Sequence, residues 1–284
     1  MRPGVPDVLP ARGYEAQARA EIFPRYEDVA QDGHVQLTTL MPGLGAIWRL
    51  LERNARLADL RGRGVLPILR RIVIEGRPGP FSAVHPITVE GTWRLARERG
   101  GERLLLDMWL DAHAPNGSAL FPPPAPDAER VLVGRIYAEH VITRPFAPPG
   151  ERKVTRLDVP GLPDVPEDEH DVLEAEDLVR GKDLVPARAV VFGMMHTDSN
   201  QHVNSLVYPR LFEEAVVERA FDPDARVPGA ESLLVRAIDI RYRKPFFAGD
   251  RASIALALEG AAATGAFVPA GADRPSCTIA ADLR

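Results

Sequence analysis

Apolar and polar positions alternate along several stretches of this chain. In two places the alternation gives way to a period near 3.6. The first period-3.6 stretch runs through Ile47, Trp48, Leu50 and Leu51. The second carries Leu211, Phe212, Ala215, Val216 and Ala220 on one stripe, with Glu213, Glu214, Glu218 and Arg219 mostly off it. Both predict amphipathic helices. β-Branched, partly alternating stretches at 16–26, 66–78, 86–95, 102–110 and 130–137 predict strands in the first half. Residues 232–245, 251–258 and 276–284 predict strands in the second, with Ala248-Gly249-Asp250 as a turn. The proline-rich stretch 115–126 cannot be a central strand.

The two halves read as one pattern written twice. Setting His34 against His202 places Val35 on Val203, Gln36 on Asn204, and Pro42 within one position of Pro209. Residues 66–78 then parallel 234–245. Both prolines fall near the start of a helix, where a missing N–H costs least. Between the halves lies a stretch rich in Pro, Gly and acidic residues. The expected organisation is an N-terminal unit over 1–150, an acidic linker over 151–185 and a C-terminal unit over 186–284.

Charge changes the picture only locally. The net charge is −5, but residues 158–183 hold ten acidic side chains against two basic ones, so the remainder is slightly positive. That remainder suits an acidic carrier or a phosphate-bearing thiol. No concentrated basic face points to nucleic acid. No run of about 18 apolar residues predicts a membrane span. The N-terminus has no apolar signal-peptide core, so a cytoplasmic chain is expected. The single cysteine, Cys277, excludes an internal disulfide framework and reads as a buried structural thiol.

The chemistry concentrates just before the second helix. Asp198, Asn200 and His202 occupy alternate positions there, followed by Val203, Asn204 and, four residues on, Tyr208. A carboxylate, an amide and an imidazole at a helix N-terminus can polarise a carbonyl and activate water. Asp198 is the candidate base or nucleophile, with helix capping or turn closure as its structural alternative. Asn200 either orients water or closes an Asx turn. His202 is a candidate base or donor, and the backbone N–H groups after it are candidate oxyanion donors. Asn204 reads as a loop brace, and Tyr208 as packing against a substrate path or the other helix. His196 would share the face of Asp198 in an extended strand. In the first half Ala30 stands where Asp198 does, Asp32 at Asn200 and Asp28 at His196, so that half reads as catalytically silent. Leu40, Met41, Leu44, Ile47 and Trp48 are its candidate pocket or core residues.

The run Asp198-x-Asn-x-His-Val-Asn, with Tyr208 beyond it, resembles the signature of hotdog-fold acyl thioesterases. In particular it is similar to the C-terminal half of the acyl-ACP (acyl carrier protein) thioesterases, which carry two hotdog units in one chain. The resemblance implies an α+β double hotdog fold: two tandem units, each an antiparallel sheet wrapped around a long helix, with the sheets paired into one. Such pairing removes open edge strands. It implies hydrolysis of an acyl-ACP or acyl-CoA thioester, with Asp198, Asn200 and His202 catalytic and Val203, Asn204 and Tyr208 near substrate. No cofactor or metal is implied, and further pairing into homo-oligomers is compatible with such folds. One feature departs from the family. The acidic residue and Cys that follow the Tyr-Arg-Arg run in the plant enzymes are replaced here by Pro245-Phe246. Two alternatives stand beside hydrolysis. One is a hotdog dehydratase or hydratase pairing His34 with Asp198. The other is a non-catalytic acyl-binding protein. No Gly-x-Ser-x-Gly elbow appears, which excludes an α/β-hydrolase thioesterase.

Overall fold

A computed structural model describes residues 3–7, 17–53, 55–77, 80–100, 102–117, 122–125, 127–159, 165, 170–222 and 234–283. Of the segments predicted from sequence, Ala16, Pro78, Ser232, Leu233 and Arg284 lie outside the described residues, as do parts of the proline-rich stretch and of the linker. Two compact units are present. The N-terminal unit comprises residues 5–72 and 76–172, and the C-terminal unit residues 1–4, 73–75 and 173–284.

In the N-terminal unit the elements are β1 (Gln17–Ile22), α1 (Leu44–Arg53), α2 (Ala55–Gly62), β2 (Leu66–Gly76), β3 (Ile87–Arg97), β4 (Leu104–Pro115) and β5 (Arg130–Thr143). The strand order is β1-β3-β4-β5-β2, with β1, β3, β4 and β5 antiparallel to their neighbours. The C-terminal unit contains β6 (Val185–Val191), α3 (Val207–Ala220), β7 (Val235–Tyr242), β8 (Arg251–Glu259), β9 (Ala262–Pro269) and β10 (Cys277–Leu283). Its order is β7-β10-β9-β8-β6, antiparallel throughout. Helix on antiparallel sheet is the expected α+β class. Among the described residues no helix is long and apolar enough to cross a membrane.

The expected long helix in each unit is found only in part. α3 runs 14 residues, with Pro209 as its third. A proline there removes no intrahelical bond. In the N-terminal unit the same path is broken. A 3-10 segment, Leu37–Gly43, contains Pro42, and the ten-residue α1 starts only after it. Counted from the two histidines, Pro42 matches Arg210. That is the fourth helical position, where the first intrahelical N–H is needed. With the proline shifted by one residue, the helix starts at Leu44, whereas the position matching Val207 is Thr39.

α1 and α3 each press on a sheet where the strand offers a glycine. A Cβ at Gly265 on β9 would come within 2.7 Å of the Phe212 ring and 2.6 Å of the Ala255 carbonyl oxygen. A Cβ at Gly91 on β3 would meet Ile47 of α1 at 2.8 Å. Phe212 and Ile47 are fully buried. Glycine is thus required here by close approach rather than by backbone conformation. Gly265→Ala is expected to destabilise the chain by about 1–3 kcal/mol through overpacking. Chemical denaturation checks this, and an unchanged midpoint would show that α3 does not press on β9.

Candidate active site

The residues singled out before α3 form one tight loop. A 3-10 turn at Met194–His196 leads into it, and Thr197 and Val203 bridge antiparallel across it. The Asp198 N–H donates to the His202 carbonyl at 3.2 Å, and the Gln201 N–H to the Asp198 carbonyl at 2.9 Å. Closing so short a loop puts Gln201 at φ 66. Few non-glycine residues adopt that left-handed conformation, and strain of this kind gathers at functional sites.

Asp198 is half-buried, and both its oxygens are held. Oδ1 accepts from the Asn200 backbone N–H at 2.8 Å, and Oδ2 from the Asn204 side-chain amide at 3.0 Å. Asn204 is fixed in turn, because its Oδ1 accepts the Leu206 N–H at 2.8 Å. The carboxylate is therefore oriented by two donors, yet each oxygen keeps a lone pair for a further partner. Asn200 closes the Asx turn with its backbone, and its exposed side chain makes no hydrogen bond among the described residues. The half-buried His202 side chain likewise makes none among them.

Two local expectations change. His196 lies in the 3-10 turn rather than in a strand, and its Nδ1 accepts the Gly193 N–H at 3.1 Å. The oxyanion donors are also narrowed. Val203 N–H is spent on the Phe246 carbonyl at 2.7 Å and Asn204 N–H on His196 at 2.9 Å. Leu206 and Val207 N–H bond to Asn204. Among the described residues, the N–H groups of His202 and Ser205 remain without an acceptor.

Four of the loop's backbone bonds recur in the N-terminal unit, 168 residues earlier. Ala30 N–H bonds to His34 at 2.8 Å, Gly33 to Ala30 at 2.9 Å, Gln36 to Asp28 at 2.9 Å and Thr39 to Gln36 at 3.0 Å. Val29 and Val35 make the matching bridge, and Tyr26–Asp28 the matching 3-10 turn. Gly33, at φ 82, stands where Gln201 does. What the first copy lacks is the carboxylate, since Ala30 replaces Asp198. Its His34 is buried, with Nδ1 3.1 Å from Asp32.

Behind the C-terminal loop lies an aromatic cluster. Tyr208 is fully buried against Tyr242 and Phe267, each at 5.3 Å between ring centroids, with Phe192 and Phe246 beside it. Tyr242 also donates to the Ser205 carbonyl at 3.3 Å. Phe246 thus anchors the loop through its carbonyl. Cys277 is buried, and burial pushes its thiol well above the ordinary range, so it is inert as a nucleophile. In the N-terminal unit Asp107, Glu139 and His170 bring one donor atom each within 4.8 Å, a spacing that can hold a metal ion. Arg94, Arg70 and Tyr137 already engage those oxygens, so the cluster is an ion-pair network.

No protein-family model and no curated protein matches this sequence. Solved structures do resemble the fold. An acyl-ACP thioesterase from Bacteroides thetaiotaomicron superposes with a TM-score of 0.62 at 14% identity, over 94% of this chain and 98% of that one. The 12:0-ACP thioesterase from Umbellularia californica gives 0.59 at 16% identity, over 95% and 98%. HtdX of Mycobacterium tuberculosis gives 0.50 at 11%, over 93% and 98%. At these identities the likeness establishes the hotdog-like fold of such enzymes.

One group in this region escaped the sequence reading. Glu213 on α3, expected off the apolar stripe, is half-buried, and burial pushes its carboxyl up to about 7, with Glu214 adding and Arg210 opposing. Its folded-state value lies above the ordinary 4.5. The folded chain therefore holds this proton longer than the unfolded one. The stability it contributes is full below about 4.5 and is lost as pH rises through 7. Glu213→Gln should flatten that slope and raise stability at pH 8 by roughly 1–3 kcal/mol. Denaturation midpoints at pH 5 and pH 8 check this, and an unaltered slope would contradict it.

Proposed function

We propose that this chain is an acyl thioesterase that hydrolyses an acyl-ACP or acyl-CoA thioester to the free acid, with the 196–204 loop as its active site. The observation that carries the reading is the Asp198 carboxylate. Two donors hold it in a strained loop, and its otherwise matching twin in the first unit carries Ala30. The twin loop makes the same backbone bonds with Ala30 in this place and carries its own carboxylate two residues later, at Asp32, so a carboxylate at position 198 is better explained by chemistry than by backbone closure. The fold shared with acyl-ACP thioesterase structures points the same way. The duplicated loop supports a double hotdog with one silent unit.

Asp198 takes a proton from water as that water attacks the thioester carbonyl, or attacks the carbonyl itself and is then released by water. Either route ends in a free acid and a protonated thiol. The free side chains of Asn200 and His202 orient the water and the carbonyl. The N–H groups of His202 and Ser205 are the candidate donors to the developing oxyanion. Pantetheine thioesters present the same reacting atoms whether carried by coenzyme A or by a carrier protein, so both remain substrates of this site. Val203, Asn204 and Tyr208 shape the wall of the loop rather than react.

One observation favours a second reading. The buried His34 is oriented by Asp32, as a base in a hydratase would be. Such an enzyme would change the absorbance of an enoyl thioester without releasing thiol.

The test is thiol release from a panel of acyl-CoA and acyl-ACP thioesters. Wild type is expected to cleave at least one of them, and Asp198→Ala to lose about 100-fold or more in kcat/KM. A wild-type protein that cleaves none would overturn hydrolysis. A fully active Asp198→Ala would overturn the site.

A further inference from the structure

The N-terminal unit carries buried charges that the loop chemistry does not use. Gly91 and Leu110, opposed in register, face the helix side of the sheet, where Ile47 and Gly43 meet them. Alternation then puts Arg94, Asp107 and Glu139 on the opposite face. These three are direct register partners across β3, β4 and β5. Asp107 and Glu139 are fully buried and Arg94 nearly so. Like charges opposed across neighbouring strands repel, so this arrangement needs cations close by.

Several groups meet that need. Arg94 Nε lies 3.3 Å from Asp107 Oδ2. Arg70 on β2 donates to Glu139 at 2.6 Å and to Glu98 at 2.7 Å. The Tyr137 hydroxyl lies 3.0 Å from Asp107 and 3.2 Å from Glu139, with its one proton shared between them. Arg71 lies over the Tyr137 ring, and the half-exposed Arg103 is 3.9 Å from Glu98. The last participant comes from outside the sheet. His170 places Nε2 2.8 Å from Asp107 and Nδ1 3.6 Å from Glu139, with Arg94 Nη2 at 3.3 Å from Nε2. Its backbone is tied too: His170 N–H bonds to Arg97 at 3.2 Å, and Arg99 N–H to His170 at 2.7 Å.

We propose that His170 is a protonation-dependent clasp, whose imidazolium holds the chain at 170–172 against the sheet face opposite the helix and whose neutral ring releases it. Both ring nitrogens face carboxylates. An imidazolium donates from Nε2 to Asp107 and sets its charge 3.6 Å from Glu139, whereas the neutral ring brings no charge to either carboxylate. Arg94 and Arg70 engage the buried carboxylates Asp107, Glu139 and Glu98, and a protonated His170 adds a further positive charge beside Asp107 and Glu139. Burial alone would lower the ring's affinity for a proton. The hydrogen bond and charge of Asp107, with Glu139, outweigh it and hold His170 above its ordinary value, against a smaller opposing push from Arg94. With the folded value raised, the clasp is complete below the ordinary value of 6.5 and is lost as pH climbs through the folded one.

Amide hydrogen exchange of the full chain tests this, corrected for the intrinsic rate at each pH. Peptides containing Arg99 and His170 are compared in wild type and in His170→Gln, which sits outside the sheet and leaves its strands intact. In wild type the protection of these amides should fall as pH rises from about 6 to about 9, the loss expected when a proton bound by the closed form is linked to opening. His170→Gln should show low, pH-independent protection there, with the β3 and β4 amides unchanged. Wild-type protection that is flat with pH would overturn the proposal. So would a His170→Gln chain as protected as wild type at pH 6, or protection that follows added Zn2+ rather than pH.

Discussion

A single backbone hydrogen bond, from the Asp198 N–H to the His202 carbonyl, closes the loop on which the site depends. It forces Gln201 into the left-handed region and turns the Asp198 side chain back toward Asn200 and Asn204. The loop is then pinned from behind, by Val203 on the Phe246 carbonyl and by Tyr242 on the Ser205 carbonyl. Each pin is set in a packed aromatic cluster, so the carboxylate is fixed by groups whose own positions are fixed. Such support limits how far a reacting group can stray from its productive geometry.

The same loop in the N-terminal unit separates what folding needs from what chemistry needs. Its backbone bonds recur without the aspartate, and with glycine at the strained position. Loop closure therefore does not require Asp198, and at this position the second unit keeps both a carboxylate and a left-handed glutamine. The twin has instead diverged around its helix, where Pro42 delays α1 and leaves a 3-10 segment in its place. A broken helix beside a loop without its acid fits a unit kept for its sheet and core.

Much of this was legible in the chain. The register of the two histidines set the two loops against each other residue by residue, and short-range spacing is what fixes their short-range hydrogen bonds. Most strands rich in β-branched residues were visible, although β4 and β5 run on to Pro115 and Thr143 and β6, with three valines, was not picked out. β9 was not visible: Ala262, Ala263, Thr264, Gly265 and Ala266 show little alternation, because Gly265 is kept small by Phe212. The broken first helix depended on a one-residue shift of a proline, finer than a pattern reading resolves. Glu213 looked solvated from helical spacing, but half-burial is a property of packing. The Asp107, Glu139 and His170 cluster joins residues up to 63 positions apart in a stretch that reads as an acidic linker at one end. No local pattern announces it.

The most direct measurement compares the two copies. kcat/KM would be determined for wild type, His202→Ala and His34→Ala on one acyl thioester that the wild type cleaves, with folding checked by circular dichroism. Chemistry confined to the second loop predicts a loss of about 100-fold or more for His202→Ala and a change within a few-fold for His34→Ala. An equal loss at His34, or an unaffected His202→Ala, would contradict the assignment of one working loop and one silent twin.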